Sequence, residues 1–272
     1  MKKWLTIIPL LCTCYAKTQV LHTLFQQAYN SPAACSRDAD ASSFLVNPAA
    51  LPQLKQASMA FYSEQKFLLK ELSGGSAALA FPAAGGSLGV VLGVTGFSGY
   101  SNAQLGVAYG RALDKRISLG VQINYHLVHT AGYGNSSATG FELGCIIHAT
   151  GKLFAGIRVS NPVGGRYGRN PDDKLPASYT MALGIEASEN LILYMHTKKT
   201  ENQPVDFLLA LQYNFVRQFF ARAGTTVVSN TLFAGAGLRW KTIRLDLIGN
   251  YHFQLGATPA LQLIMQLQNG GP

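Results

Sequence analysis

The sequence has no run of 18 consecutive apolar residues beyond its N-terminal stretch, so no segment is long enough to cross a bilayer as a helix. Charge is sparse at 13% of residues, and acidic side chains are the scarcer kind, 13 against 22 Lys and Arg. The formal net charge of +9 would suit a nucleic acid. No Lys/Arg-rich run or nucleic-acid-binding motif accompanies it, and no nucleic-acid partner is expected. Cysteine is limited to four residues, two of them at the extreme N-terminus. The remaining Cys35 and Cys145 are too few for a zinc constellation. Pairing of these two in an oxidising compartment stays open. Cys145 alternates with Leu143 and Ile147 on an apolar face, which favours a free, outward-facing thiol.

Catalytic and cofactor signatures are missing as well. No phosphate-binding G-x-x-x-x-G-K-S/T motif is present, and the glycines of 86–96 and 235–237 fit close packing or curvature within strands. The serines near histidines lie in glycine-rich stretches without a nucleophile motif. His126, His148 and His252 fall on different segments. The chain is therefore expected not to be an enzyme and to carry neither cofactor nor metal.

What the sequence does contain is a rhythm. From residue 56 to 268, segments of about ten residues alternate apolar with small or polar side chains, as β-strands with one greasy and one wet face do. Residues 117–127 show it best: Ile117, Leu119, Val121, Ile123, Tyr125 and Leu127 alternate with Ser118, Gly120, Gln122, Asn124 and His126. Upstream, Lys2 and Lys3, the apolar stretch 4–11 and a small-x-small site ending at Ala16 read as a cleaved export signal, residues 1–16. Its removal takes the net charge to +7.

An exported chain of many two-faced strands points to an all-β fold, a transmembrane antiparallel β-barrel. About fourteen strands are expected: 56–64, 75–82, 87–97, 102–113, 117–128, 138–149, 153–160, 177–187, 191–199, 206–215, 219–227, 231–240, 243–253 and 259–268. Short connections at 113–116, 150–152, 188–190, 216–218 and 241–242 alternate with longer ones at 65–74, 129–137, 161–176 and 199–205. Short periplasmic turns and longer extracellular loops would produce this alternation. Lipid would meet rows such as Leu88, Val90, Leu92 and Val94, or Phe207, Leu209, Leu211 and Tyr213. Tyr125, Tyr213, Trp240 and Tyr251 are expected near strand ends, where amphipathic rings favour the membrane interface.

The inward rows carry Gln122, Asn124, His126, Glu142, His148, Arg158, Glu186, His196, Arg222, Arg239, Arg244, Asp246, Asn250 and His252. Mixed signs in a low-dielectric lumen call for ion pairs across it. Arg158, Arg222, Arg239, Arg244, Glu142 and Asp246 are the candidate luminal or ligand-binding residues, with arginines able to grip an anion bidentately. Between signal and barrel, residues 17–54 are too few for a domain with its own core. A helically spaced apolar stripe, Leu21, Leu24 and Phe25, needs a surface to cover it, and the barrel interior is the nearest. Asn47 and Pro48 would form a stiff corner leading into the first strand, because proline fixes its own φ and biases the preceding residue to extended backbone.

The stretch 38–51, with Asp38, Ala41, Asn47, Pro48, Ala49 and Leu51, resembles the N-terminal signature of FadL-like outer-membrane barrels and of the related PorV-type barrels of type IX secretion. The resemblance implies a fourteen-stranded outer-membrane barrel over 55–272, with 17–54 as a small luminal hatch anchored at Asn47 and Pro48. It implies binding or passage of a hydrophobic or amphipathic small molecule. The alternative it carries is a PorV-type scaffold that docks secretion or surface proteins. Outer-membrane lipid is the expected partner in both cases.

Overall fold

The computed structural model describes residues 39–167 and 174–267. The signal at 1–16, the stripe at Leu21–Phe25, Cys35 and Asp38 lie outside the described residues. Fourteen antiparallel strands close into a barrel: β1 (Ser58–Gln65), β2 (Ser73–Ala83), β3 (Gly86–Phe97), β4 (Tyr100–Ala112), β5 (Ile117–Thr130), β6 (Gly134–His148), β7 (Leu153–Ser160), β8 (Ser178–Glu186), β9 (Leu191–Thr200), β10 (Val205–Asn214), β11 (Phe219–Thr226), β12 (Thr231–Trp240), β13 (Ile243–His252) and β14 (Gly256–Gln266). Each strand pairs with its neighbours in sequence. The ring is shut by β1 against β14, in a register running from Ser58↔Gln266 to Glu64↔Ala260. Closure leaves no unpaired edge, the condition for strands to stand in hydrocarbon.

The faces follow the alternation. Along β5, Leu119, Val121, Ile123, Tyr125 and Leu127 are exposed, while Ser118, Gly120, Gln122, Asn124 and His126 are buried in the interior. Ten residue steps of tilted strand from Ile117 to Leu127 span about 25 Å, the height of an apolar membrane band. Cys145 belongs to this outer face, opposite Leu119, and is a free thiol. Tyr213, Trp240 and Tyr251 stand at strand ends as expected. Tyr125 does not, because β5 runs on to Thr130.

The loops depart from the expected alternation. Turns at one end, among them 84–85, 113–116 and 241–242, hold two to four residues each. At the other end only 66–72 and 161–177 are long. The expected loop at 129–137 is a hairpin paired up to Thr130↔Gly134, its tight turn made by Gly132 at φ 81° and Gly134 at φ 87°. The loop at 199–205 shrinks to four residues in the same way, with β9 and β10 paired to Lys199↔Val205. Loop 66–72 is folded into two 3-10 turns, with Phe67 and Leu68 at positive φ. It lies against β14, where the Phe67 amide donates to Thr258 Oγ1 at 3.0 Å.

Candidate functional site: the hatch and its seat

Residues 39–54 lie inside the barrel as a one-turn helix, α1 (Ser43–Val46), and a 3-10 segment (Pro48–Gln53). Asn47 separates the two in extended backbone, φ −155° and ψ 118°, as the following proline requires. Its side chain Oδ1 accepts from the Ala49 amide at 3.0 Å and starts the second turn. The same side chain's Nδ2 donates to the carbonyls of Ile157 at 3.1 Å and Cys145 at 3.3 Å on the wall. Asn47 is thus both cap and tether, and Pro48 is wholly buried beside it.

The wall makes room with glycine. Gly110, Gly120 and Gly144 stand side by side in the register of β4, β5 and β6, all facing inward. A Cβ at Gly120 would fall on the backbone of Pro48 and Ala49, and one at Gly144 on Asn47 Oδ1. At Gly110 it would meet the Cβ of Leu51 at 2.8 Å. The glycines therefore form a shelf on which the hatch backbone rests. On β3, Gly89 leaves the matching space for the ring of Phe44, one of three fully buried phenylalanines.

Arg158 follows Gly144 in the register. Its Nη1 donates to the α1 carbonyls of Leu45 at 2.9 Å and Val46 at 3.2 Å, the helix end where a cation is favoured. Its other nitrogens hold Glu142 Oε2, Nε at 2.8 Å and Nη2 at 2.6 Å. Glu142 Oε1 accepts from Asn124 at 2.9 Å, and Asn124 in turn accepts from Gln104 and Gln122. On the opposite wall Asp246, fully buried, takes Arg222 at 2.8 Å and Arg244 at 3.1 Å. Arg244 also reaches Asp40 of the hatch at 2.8 Å. Burial would raise the Asp40 carboxyl, but Arg244 and the Ser42 hydroxyl and amide more than reverse this and hold it below the ordinary carboxylate range.

All six charged candidates therefore face the lumen, in two groups. Arg158 and Glu142 form one; Arg222, Arg239, Arg244 and Asp246 gather in the other around Phe220, whose ring centroid lies 4.5 Å from the Arg239 guanidinium carbon. Each group sends one arginine to the hatch. His148 meets Gln53 at 3.2 Å, whereas His196 is buried with neither ring nitrogen hydrogen-bonded.

Sequence reasoning missed the apolar part of the interior. Phe154, Ala182, Tyr194, Leu208 and Phe233 cluster on the wall of β7 to β12, and Val46 of the hatch packs on them. Runs such as Phe207 to Leu211 are apolar on both faces, so a reading for polar inward rows passes over them. The only signal was an apolar residue where the alternation calls for a polar one. Phe220 and the glycine shelf were missed too.

Fold and site together define a class, an outer-membrane β-barrel with the segment before its first strand, residues 39–54, lying in its lumen. No protein-family model matches the sequence, and no curated protein sequence matches it. Solved structures do. The CymD monoaromatic hydrocarbon channel superposes with a TM-score of 0.64 at 12% identity, over 85% of this chain and 94% of that one. The Pseudomonas putida toluene transporter TodX gives 0.60 at 9% identity, over 84% and 94%. A Pseudomonas aeruginosa FadL homologue gives 0.51 at 13%, over 83% and 92%. The chain has the fold of the FadL-like outer-membrane channels.

Proposed function

We propose that the barrel passes a small hydrophobic molecule across the outer membrane, with residues 39–54 as its gate. The observation that carries this reading is the apolar patch of Phe154, Tyr194, Leu208 and Phe233, which meets the hatch at Val46. Such a surface is what an uncharged ligand needs, because each Å² of apolar contact removed from water contributes about 25 cal/mol. The hatch is tied to the wall by polar groups, through Asn47, Arg158 and Arg244, beside the apolar packing of Phe44, Leu45, Leu51 and Leu54. The likeness to hydrocarbon channels agrees with a ligand of monoaromatic size. In this reading the short turns face the periplasm and the loop 161–177 faces outward. The docking-scaffold alternative gains no support from these likenesses.

Uptake of radiolabelled toluene by cells carrying the barrel in their outer membrane tests the proposal. Uptake should exceed that of cells lacking it and fall when Leu208→Arg puts a charge on the patch. Equal uptake by all three, with the variant still folded, would refute passage through the lumen.

A further inference from the structure

Between β7 and β13 the outer wall is hollowed. A groove of about 990 Å³ runs across it, on the face away from the hatch. Its floor is made of small side chains standing abreast in the register, Ala223 on β11, Ala234 on β12 and Gly249 on β13. Leu211 flanks them on β10, and the next row towards the loop end is large again, with Leu209, Leu232 and Tyr251. A methyl built at Gly249 would meet nothing within 4 Å. Among the described residues no charged side chain lines the groove. An empty hollow would leave its lining without partner atoms, and on this face only hydrocarbon can supply them.

The foot of the same wall is basic. The turns at the short-turn end carry five cations, Lys115, Arg116, Lys152, Arg217 and Lys241, against Asp114 and Glu189. Two of the cations stand below the groove floor. Arg217 and Lys241 are exposed, on turns 215–218 and 241–242, and the Arg239 amide donates to the Gln218 carbonyl at 2.6 Å, which draws the two turns together. Among the described residues no acid forms an ion pair with either. Phe215, Val216 and Trp240 beside them are exposed too, an arrangement suited to the membrane interface. Ala223 lies six residues along the chain from Arg217. Six steps of strand at about 3.3 Å, tilted about 45°, descend roughly 14 Å, close to half of a hydrocarbon core of about 30 Å. The cations are therefore at head-group level and the groove is within reach of the tails.

We propose that this wall is a binding site for an anionic phospholipid, its phosphate on Arg217 and Lys241 and an acyl tail in the groove. The guanidinium grips the phosphate bidentately, and the ammonium adds a point charge. The site is on the outer wall, so it holds or fails independently of hydrocarbon passage through the lumen.

Native mass spectrometry of the full chain in non-ionic detergent tests it, with phosphatidylglycerol and phosphatidylcholine of identical tails as probes. One phosphatidylglycerol should bind saturably, at least fivefold tighter than phosphatidylcholine. Arg217→Gln with Lys241→Gln should abolish that preference, while Lys115→Gln with Arg116→Gln, the same loss of charge beyond the far side of the wall, should keep it. Ala223→Phe with Ala234→Phe fills the groove and should weaken both lipids at least fivefold in a barrel of normal heat-modifiable mobility. Equal retention of the two lipids, equal losses from the two charge pairs, or undiminished binding by the filled groove would overturn the proposal. So would a dimer that Ala223→Phe with Ala234→Phe dissociates, because the groove would then belong to a second copy of the chain.

Discussion

Asn47 makes as many hydrogen bonds between hatch and wall as Arg158 does, and the same amide also caps the hatch's own second turn. Alanine there removes the cap of the second turn and both wall contacts, a cost of about 1–3 kcal/mol for buried groups left unpaired. Asn47→Ala should therefore loosen the hatch, read as faster proteolysis within 39–54, while the barrel keeps its heat-modifiable mobility. On the outer face, depth decides the cost. Val121 sits near the middle of the apolar band on β5, and an arginine there should cost about 2–4 kcal/mol of barrel stability. His129, on the same face beyond the band's last apolar residue, should tolerate arginine for about 0–1 kcal/mol. Denaturant titration of the two variants in lipid checks this, and equal losses would mean that β5 does not face lipid. Single residues were unevenly legible. The inward arginines could be read from alternation, but their partners could not, since alternation fixes a face and not the register between neighbouring strands. Glu142 and Arg158 are neighbours only because β6 pairs with β7.

Among the elements, the strands were the most legible and their ends the least. β7 and β12 match the alternation residue for residue, whereas β6 begins four residues earlier than its apolar pattern does. Asn135, Ser136 and Ser137 are polar on both faces, so the ladder continues where the pattern has stopped. The glycine shelf was hidden for a related reason, since a strand glycine looks the same whether it bends the strand or clears space for a neighbour. Here it clears space, and that can be measured. Gly120→Ala puts a methyl on the backbone of Pro48 and Ala49, which cannot swing aside as a side-chain tip would. Overpacking of this kind costs about 1–3 kcal/mol. The strand ladder is untouched, so the strain falls on the hatch. The variant should form a barrel of normal mobility with raised planar-bilayer conductance. Gly249→Ala, on the open outer face, should match the unaltered protein.

For the whole molecule, two sets of interactions are separable. The ladder from β1 to β14 is continuous and closes on itself without using any hatch residue. The hatch, by contrast, has no core of its own: Phe44, Leu45, Leu51 and Leu54 pack with Ala60, Ala78, Ala80, Val91, Ala108 and Ile264 of the wall. Barrel folding should therefore survive loss of the hatch, while the hatch cannot fold without the barrel. Deleting residues 20–45 removes Asp40 and Phe44, and with them the tie to Arg244 and the ring against Gly89. Arg244 keeps Asp246, which it then shares with Arg222 as the one carboxylate left to the pair. The shortened chain should insert and show normal heat-modifiable mobility, and its conductance should exceed that of both the full chain and Asn47→Ala. A folded deletion variant that conducts no more than the full chain would show that the segment does not obstruct the lumen. The gate would then have to be sought at the other end, where loop 66–72 folds onto β14.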